Sequence, residues 1–221
     1  MVAYHNDPEI KQRILNQLKA HYDADEIVKG RYWENGKGCA VGCTIYGSDH
    51  SEYETLFGIP IILAILEDRL FERLPTNRAK DWPIRFMSSI RVGVDLSLVW
   101  PKFAHWMITN PTSGLIRTLK DDKEACSLAE CVADLYTEII NGNQVSRNTW
   151  RRAAALLIDC SQRIIPYLVY KSVVGINFIA EAAVDDNSCH HCVEYSGIID
   201  QSISASAVEK ADQLIELLTS C

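Results

Sequence analysis

Behind Asp7-Pro8-Glu9, apolar side chains return at every fourth position, Ile10, Ile14, Leu18 and Tyr22. That spacing lays them along one face of an α-helix. Asp7 is suited to the cap, Pro8 to the first helical position and Glu9 to the first turn. A longer run of the same kind spans Lys123 to Ile140, where Ala125, Leu128, Ala129, Val132, Leu135, Tyr136 and Ile139 follow the helical repeat. Between these two lie shorter helical stretches. Ser51 precedes one that Gly58 stops, Pro60 opens Ile61 to Leu74, and Asp81-Trp82-Pro83 opens another that runs to about Ile90. Ser97 to Thr109 reads as helix with Pro101 near its start, so that its first turn slips toward Trp100.

Asn110-Pro111 breaks the pattern, and Asn141-Gly142-Asn143 breaks it most strongly. Beyond it, Ser146 or Asn148 caps a helix from about Thr149 to Cys160. Pro166 and Gly175 divide the stretch beyond Cys160, Asp185-Asp186-Asn187 is a turn, and Ser188 opens a helix carrying Cys189, Cys192 and Ile199. Ser206 with Glu209 forms a capping box leading into Ala211 to Leu218. Alternation of the strand type is weak everywhere; Val92-Gly93-Val94 and Cys39 to Tyr46 are the two candidates. The expected fold is all-α, an irregular multi-helix bundle with an N-terminal part, 1–142, and a C-terminal part, 143–221, packed as one body.

Composition narrows the function more than the fold. Of 221 residues, 48% are hydrophobic and 23% charged, the balance of an ordinary globular chain with a real core. The net charge of −7 argues against a nucleic-acid binder, whose affinity rests on neutralising phosphates. The longest apolar run, Ile59 to Leu66, contains Pro60 and is too short to span a bilayer. The first residues carry neither a basic region nor an apolar stretch, which makes the cytoplasm the expected compartment. Eight cysteines are then expected as reduced thiols, with Cys126, Cys131 and Cys160 as packing residues on helices.

The candidate chemistry lies in Gly36-Lys37-Gly38-Cys39-Ala40-Val41-Gly42-Cys43-Thr44, preceded by Tyr32-Trp33 and followed by His50. So many glycines suit neither helix nor strand and mark sharp turns or close approach. It is no phosphate loop: five residues separate Gly30 from Gly36, and Gly38 stands where a hydroxyl should follow Lys37. Lys37, Cys39, Cys43 and His50 are the candidate ligand-binding residues. A nucleophilic cysteine here would need a base or helix N-terminus to lower its pKa. Cys189-His190-His191-Cys192 has zinc-like spacing, but no second Cys-x-x-Cys or His-x₃₋₅-His lies anywhere in the chain; Cys39 with Cys43 could complete a four-thiolate site across the fold, as could the two adjacent histidines in part. Glu67, Asp68 and Glu72, with Arg69 and Arg73 interleaved, read as a solvated charged face rather than a metal centre. Five tryptophans, Trp33, Trp82, Trp100, Trp106 and Trp150, are expected in the core, with one or two free to anchor an interface.

Lys29-Gly30-Arg31-Tyr32-Trp33 with Gly38-Cys39-Ala40-Val41-Gly42-Cys43, then Gly58-Ile59-Pro60, Trp82-Pro83 and Gly93-Val94-Asp95-Leu96, resembles an uncharacterised family of bacterial and phage proteins. In that family a Gly-Cys-Ala-x-Gly-Cys element precedes an alanine-rich helical half. Trp150-Arg151-Arg152-Ala153-Ala154-Ala155 through Ala211 to Leu218 is similar to such a half, and more loosely to helical immunity proteins that neutralise secreted toxins. The resemblance implies an all-α fold and a bacterial or phage origin, and it brings no catalytic residue, metal or cofactor. The expectation is therefore a helical module that binds a protein partner or itself, without nucleic acid, membrane or catalysis. The alternative is a small-molecule-binding or hydrolytic enzyme built on Lys37, Cys39, Cys43 and His50.

Overall fold

The computed structural model describes residues 1–163 and 207–221. They form an all-α protein whose strands, among the described residues, amount to one two-residue hairpin. Helix α1 is Pro8–Asp23, and its start follows the sequence: the Asp7 side chain accepts from the Glu9 N–H at 2.8 Å. Its inner face differs by one position from the expected one. Ile14, Leu18 and His21 are buried, whereas Tyr22 faces outward.

Strands β1 (Trp33–Glu34) and β2 (Lys37–Gly38) pair antiparallel through an Asn35-Gly36 turn, with φ of 51° and 78°. Left-handed backbone at both positions matches the right-handed twist of a hairpin, and Asn-Gly is the pair that adopts it most readily. Straight after comes α2, Ala40–Ile45. The sequence expectation of an extended Cys39 to Tyr46 is thus corrected: Cys39 is the cap of a helix, and its Sγ accepts from the Gly42 N–H at 3.4 Å. Every residue of α2 is buried, so no amphipathic period betrays it. It packs against α1, against α4 (Ile61–Arg73) and against α6 (Trp82–Ser89).

Two shorter helices complete this region, α3 (Glu52–Phe57), ended by left-handed Gly58, and α5 (Thr76–Ala79). Helix α7 is Val99–Thr109, which places Pro101 in its first turn, where its missing N–H leaves no helical bond unmade. Val92–Val94 forms part of a turn with no strand. Helix α8, Lys123–Ile140, has the bounds its periodicity predicts, with Asp122 as cap. Helix α9, Arg147–Ser161, is capped by Ser146, and α10 is Ala207–Ser220. The turn, the helix and the capping serine expected between 164 and 206 lie outside the described residues.

The chain divides into two compact units, residues 1–99 with 207–221, and residues 100–206. In the first, Trp82, Phe86, Tyr53, Leu63, Leu70 and Leu18 form the core, and α10 adds Leu214 and Leu218. Asp212 of α10 bonds Arg78 at 2.6 Å and Arg85 at 3.2 Å. In the second unit, α8 packs on α9, and the rings of Tyr136 and Trp150 lie 4.8 Å apart. The Asn141–Asn143 break is the turn between these two helices. Cys160 is buried here as expected, but Cys126 is half-buried and Cys131 is exposed on the outer face of α8.

Candidate functional site

The glycines of the Gly/Cys segment serve one backbone group. A methyl carbon on Gly38 would stand 2.0 Å from the Tyr32 carbonyl oxygen, and one on Gly42 would stand 1.4 Å from the same oxygen. The Tyr32 carbonyl is wedged between the end of β2 and the first turn of α2, and only glycine at both places lets it in. That carbonyl and the Arg31 carbonyl accept from the Cys39 N–H, at 3.2 and 2.8 Å. Gly38 is bound on its other side too, donating to the Glu26 carbonyl and accepting from the Val28 N–H. The far end of α2 is held from α1: Gln17 donates to the Cys43 and Thr44 carbonyls at 2.8 and 2.9 Å. The loop, the hairpin and α2 are therefore one interlocked piece.

Against this piece α4 sets two carboxylates in the interior. Glu67 is fully buried and Asp68 is 5% exposed, which corrects the expected solvated face. Tyr53 on α3 donates to Glu67 Oε2 at 2.6 Å, while Oε1 is buried and accepts nothing. Burial, reinforced by the charge of Asp68 and opposed by the Tyr53 hydrogen bond, raises the Glu67 pKa to about 8. Tyr4, fully buried with its hydroxyl donating to the Met87 carbonyl, is pushed up by burial and then by Glu67. Tyr53 moves the same way for the same causes.

Asp68 lies beside the sequence candidates. Its Oδ2 is 3.5 Å from Nε2 of His50, which is itself buried, and the Tyr32 ring stands edge-on to His50 with centroids 5.7 Å apart. Burial first, then the Asp68 charge, hold the Cys39 thiol far above the ordinary thiol range. Cys43, whose Sγ donates to the Gly38 carbonyl, is pushed up by burial to about 12. Both are protonated at neutral pH, the reverse of what a nucleophile needs. Lys37 is exposed on β2. The structure thus brings Cys39 and His50 together around Asp68, buries Cys43 behind them and leaves Lys37 outside.

Two recesses open on this piece. One, of about 180 Å³, is lined by Gly30, Arg31, Tyr32, Cys39, Asp68, Arg69 and Glu72. Glu72 takes the Gly30 N–H on both oxygens, at 3.0 and 3.2 Å, and its pKa is raised by burial. The other, of about 460 Å³, is lined by Arg31, Tyr32, Trp33, Glu34, Tyr46, Gly47 and Ser48. Here the Trp33 and Tyr46 rings meet edge-on at 4.8 Å, and His21 stands edge-on to both. His21 Nδ1 is 2.6 Å from Glu26 Oε2. Tyr46 closes α2 in left-handed backbone, φ 55°, which holds a half-exposed ring at the lip of the groove.

Sequence reasoning sets Asp68 and Glu72 aside as a solvated face, and names Tyr32 and Tyr46 only at the bounds of the Gly/Cys segment. The i, i+4 pair Asp68 and Glu72 was visible, but nothing local signals that a carboxylate is buried when arginines flank it. Among the described residues no group of three His, Cys, Asp or Glu side chains is placed to hold a metal ion. Cys189 and Cys192 lie outside those residues. No helix searched among them is long and apolar enough to cross a membrane. Compared with known proteins, the chain matches no family model, no curated protein and no solved structure.

Proposed function

We propose that this chain is a non-catalytic helical binding module, immunity-like in engaging a protein partner through one fixed face. The observation that carries this is the aromatic groove of Tyr32, Trp33 and Tyr46, mounted on the interlocked loop, hairpin and α2. Tyrosine and tryptophan are enriched at interfaces because they offer large amphipathic area with few rotatable bonds. Held by ring contacts at 4.8 to 5.7 Å, Trp33 and Tyr46 against each other and against His21, and Tyr32 against His50, these rings have little further freedom to lose on binding. The net charge of −7 favours a partner with a basic face over nucleic acid.

The alternative is an enzyme using Lys37, Cys39, Cys43 and His50. Against it stand two buried, protonated thiols and a lysine on the outside of the hairpin. Native-state alkylation separates the readings. With iodoacetamide, Cys39 and Cys43 are expected to label at least about tenfold slower than exposed Cys131; if Cys39 labels first, the enzyme is the better reading. The partner reading is tested by comparing proteins retained by the unaltered chain and by Tyr46→Ser of equal melting temperature. Loss of a specific protein in the variant is the expected result. An unchanged set removes the groove from the proposal.

A further inference from the structure

Tyr4, His5 and Asn6 follow one another in left-handed backbone, with φ of 55°, 51° and 61°. Residues with a side chain visit that region singly, and a bulky one such as tyrosine least readily. Three in succession are strained, and such backbone persists only where its surroundings hold it. Here the hold is a plug. Ala3 donates to the Val94 carbonyl at 3.0 Å and accepts from the Gly93 N–H at 2.9 Å, and Val2 bridges Asp95. The Tyr4 side chain is fully buried, its hydroxyl donating to the Met87 carbonyl on α6 at 2.6 Å. Residues 2–4 are thus fixed in a slot, and the left-handed turn through Asn6 is the hinge that folds them back beside α1.

None of the plug's bonds requires it to belong to the same molecule. Straightened, His5, Asn6 and Asp7 reach roughly 10 Å. The Tyr4–Met87 and Ala3–Val94 bonds then form with a neighbouring copy, and the strain of the turn is released. Two bonds within the turn are given up, His5 N–H to the Val2 carbonyl and Asp7 N–H to the Tyr4 carbonyl. Short hinges under strain favour such an exchange. The surface around the slot suits a second copy as well. Met1, Val2 and Leu56 are exposed there, Leu56 beside Thr55, whose carbonyl lies 3.0 Å from His5 Nε2. Apolar side chains grouped in this way gain from being covered.

We propose that the chain pairs with a second copy of itself by exchanging this plug, Tyr4 of each entering the Met87 slot of the other. Reciprocal exchange closes at two copies. It uses none of the residues that line the aromatic groove.

The test uses the untagged full chain, unfolded in urea and refolded over a series of protein concentrations, with mass read by light scattering behind size exclusion. Dimer is expected to grow with refolding concentration. His5→Gly combined with Asn6→Gly makes the left-handed turn without strain and should weaken the dimer at least tenfold. His5→Pro, whose ring fixes φ at about −65°, cannot make the turn and should tighten the dimer at least tenfold. In dimers grown from a mixture of ¹³C-labelled and unlabelled chains, isotope-filtered NOEs should join the Tyr4 ring of one copy to the Met87 methyl of the other. A chain that refolds only as monomer at every concentration overturns the proposal. So does a dimer without that contact between copies, or one indifferent to the glycine pair. Should His5→Pro fail to fold, the glycine pair and the NOEs decide without it. Tyr46→Ser is expected to leave the dimer unchanged, so that loss of groove binding and loss of exchange are told apart.

Discussion

Protonated, Glu67 sits in the core as a neutral group bonded to Tyr53; ionised, it is a charge out of reach of water. Its pKa rises from the ordinary 4.5 to about 8 on folding. Between those values the folded chain keeps a proton that the unfolded chain has released, so stability falls as pH rises through that window. The contribution is fully present below about 4.5 and gone above about 8. Glu67→Gln keeps an acceptor for Tyr53 and has no proton to lose. Urea unfolding at pH 5, 6.5 and 8 should show the unaltered chain losing on the order of a few kcal/mol relative to the variant over that range. Parallel curves would contradict the burial argument. None of this was visible in the sequence. Glu67-Asp68-Arg69 reads as a surface ion-pair run, and the partner that changes the reading, Tyr53, sits on a different helix.

At the scale of elements, the helices with an amphipathic face were legible and the one without was not. Helix α8 runs as its repeat predicts because one side is buried and the other wet. Helix α2 is buried all round, short, and interrupted by a glycine, so neither periodicity nor propensity marks it. The Asn35-Gly36 hairpin did carry a local signal, but in strands too short for alternation to register. Two glycine substitutions separate the kinds of constraint within this piece. Gly36 has left-handed backbone, φ 78°, with nothing within 4 Å of an added methyl. Gly36→Ala should therefore cost about 1 kcal/mol in backbone strain alone. Gly42→Ala drives a methyl into the Tyr32 carbonyl, a backbone atom that cannot step aside. It should cost roughly 3 kcal/mol or more and loosen the groove, seen as a lower urea midpoint with faster labelling of Cys39 and Cys43. Similar losses for the two variants would mean that the interlock is looser than described.

Taken whole, the molecule does not follow the order of its sequence. The clearest break in the pattern, Asn141 to Asn143, separates two helices of one unit, whereas the unit formed by residues 1–99 is completed by residues 207–221. No composition shift marks the passage near Val99, which lies at the start of helix α7, so the division could not be read from turns and linkers. The dependence is measurable. Leu214 is fully buried, and Leu214→Ala should cost on the order of 2–4 kcal/mol. Hydrogen exchange should then quicken in α4 and α6, the helices that α10 packs against, and not in α10 alone. Quickening confined to 207–220 would mean that α10 is a detachable addition.

The position of α10 in the chain also bears on how the first unit is made. A ribosome delivers residues 1–99 long before residues 207–221, so the core around Trp82 and Phe86 must wait with the α10-facing sides of α4 and α6 uncovered. Arg78, Arg85 and Arg91, which meet Asp212 and the Cys221 carbonyl in the finished fold, stay wet until the end. During synthesis those arginines would act as gatekeepers, keeping a half-built apolar surface from finding another nascent chain before α10 arrives.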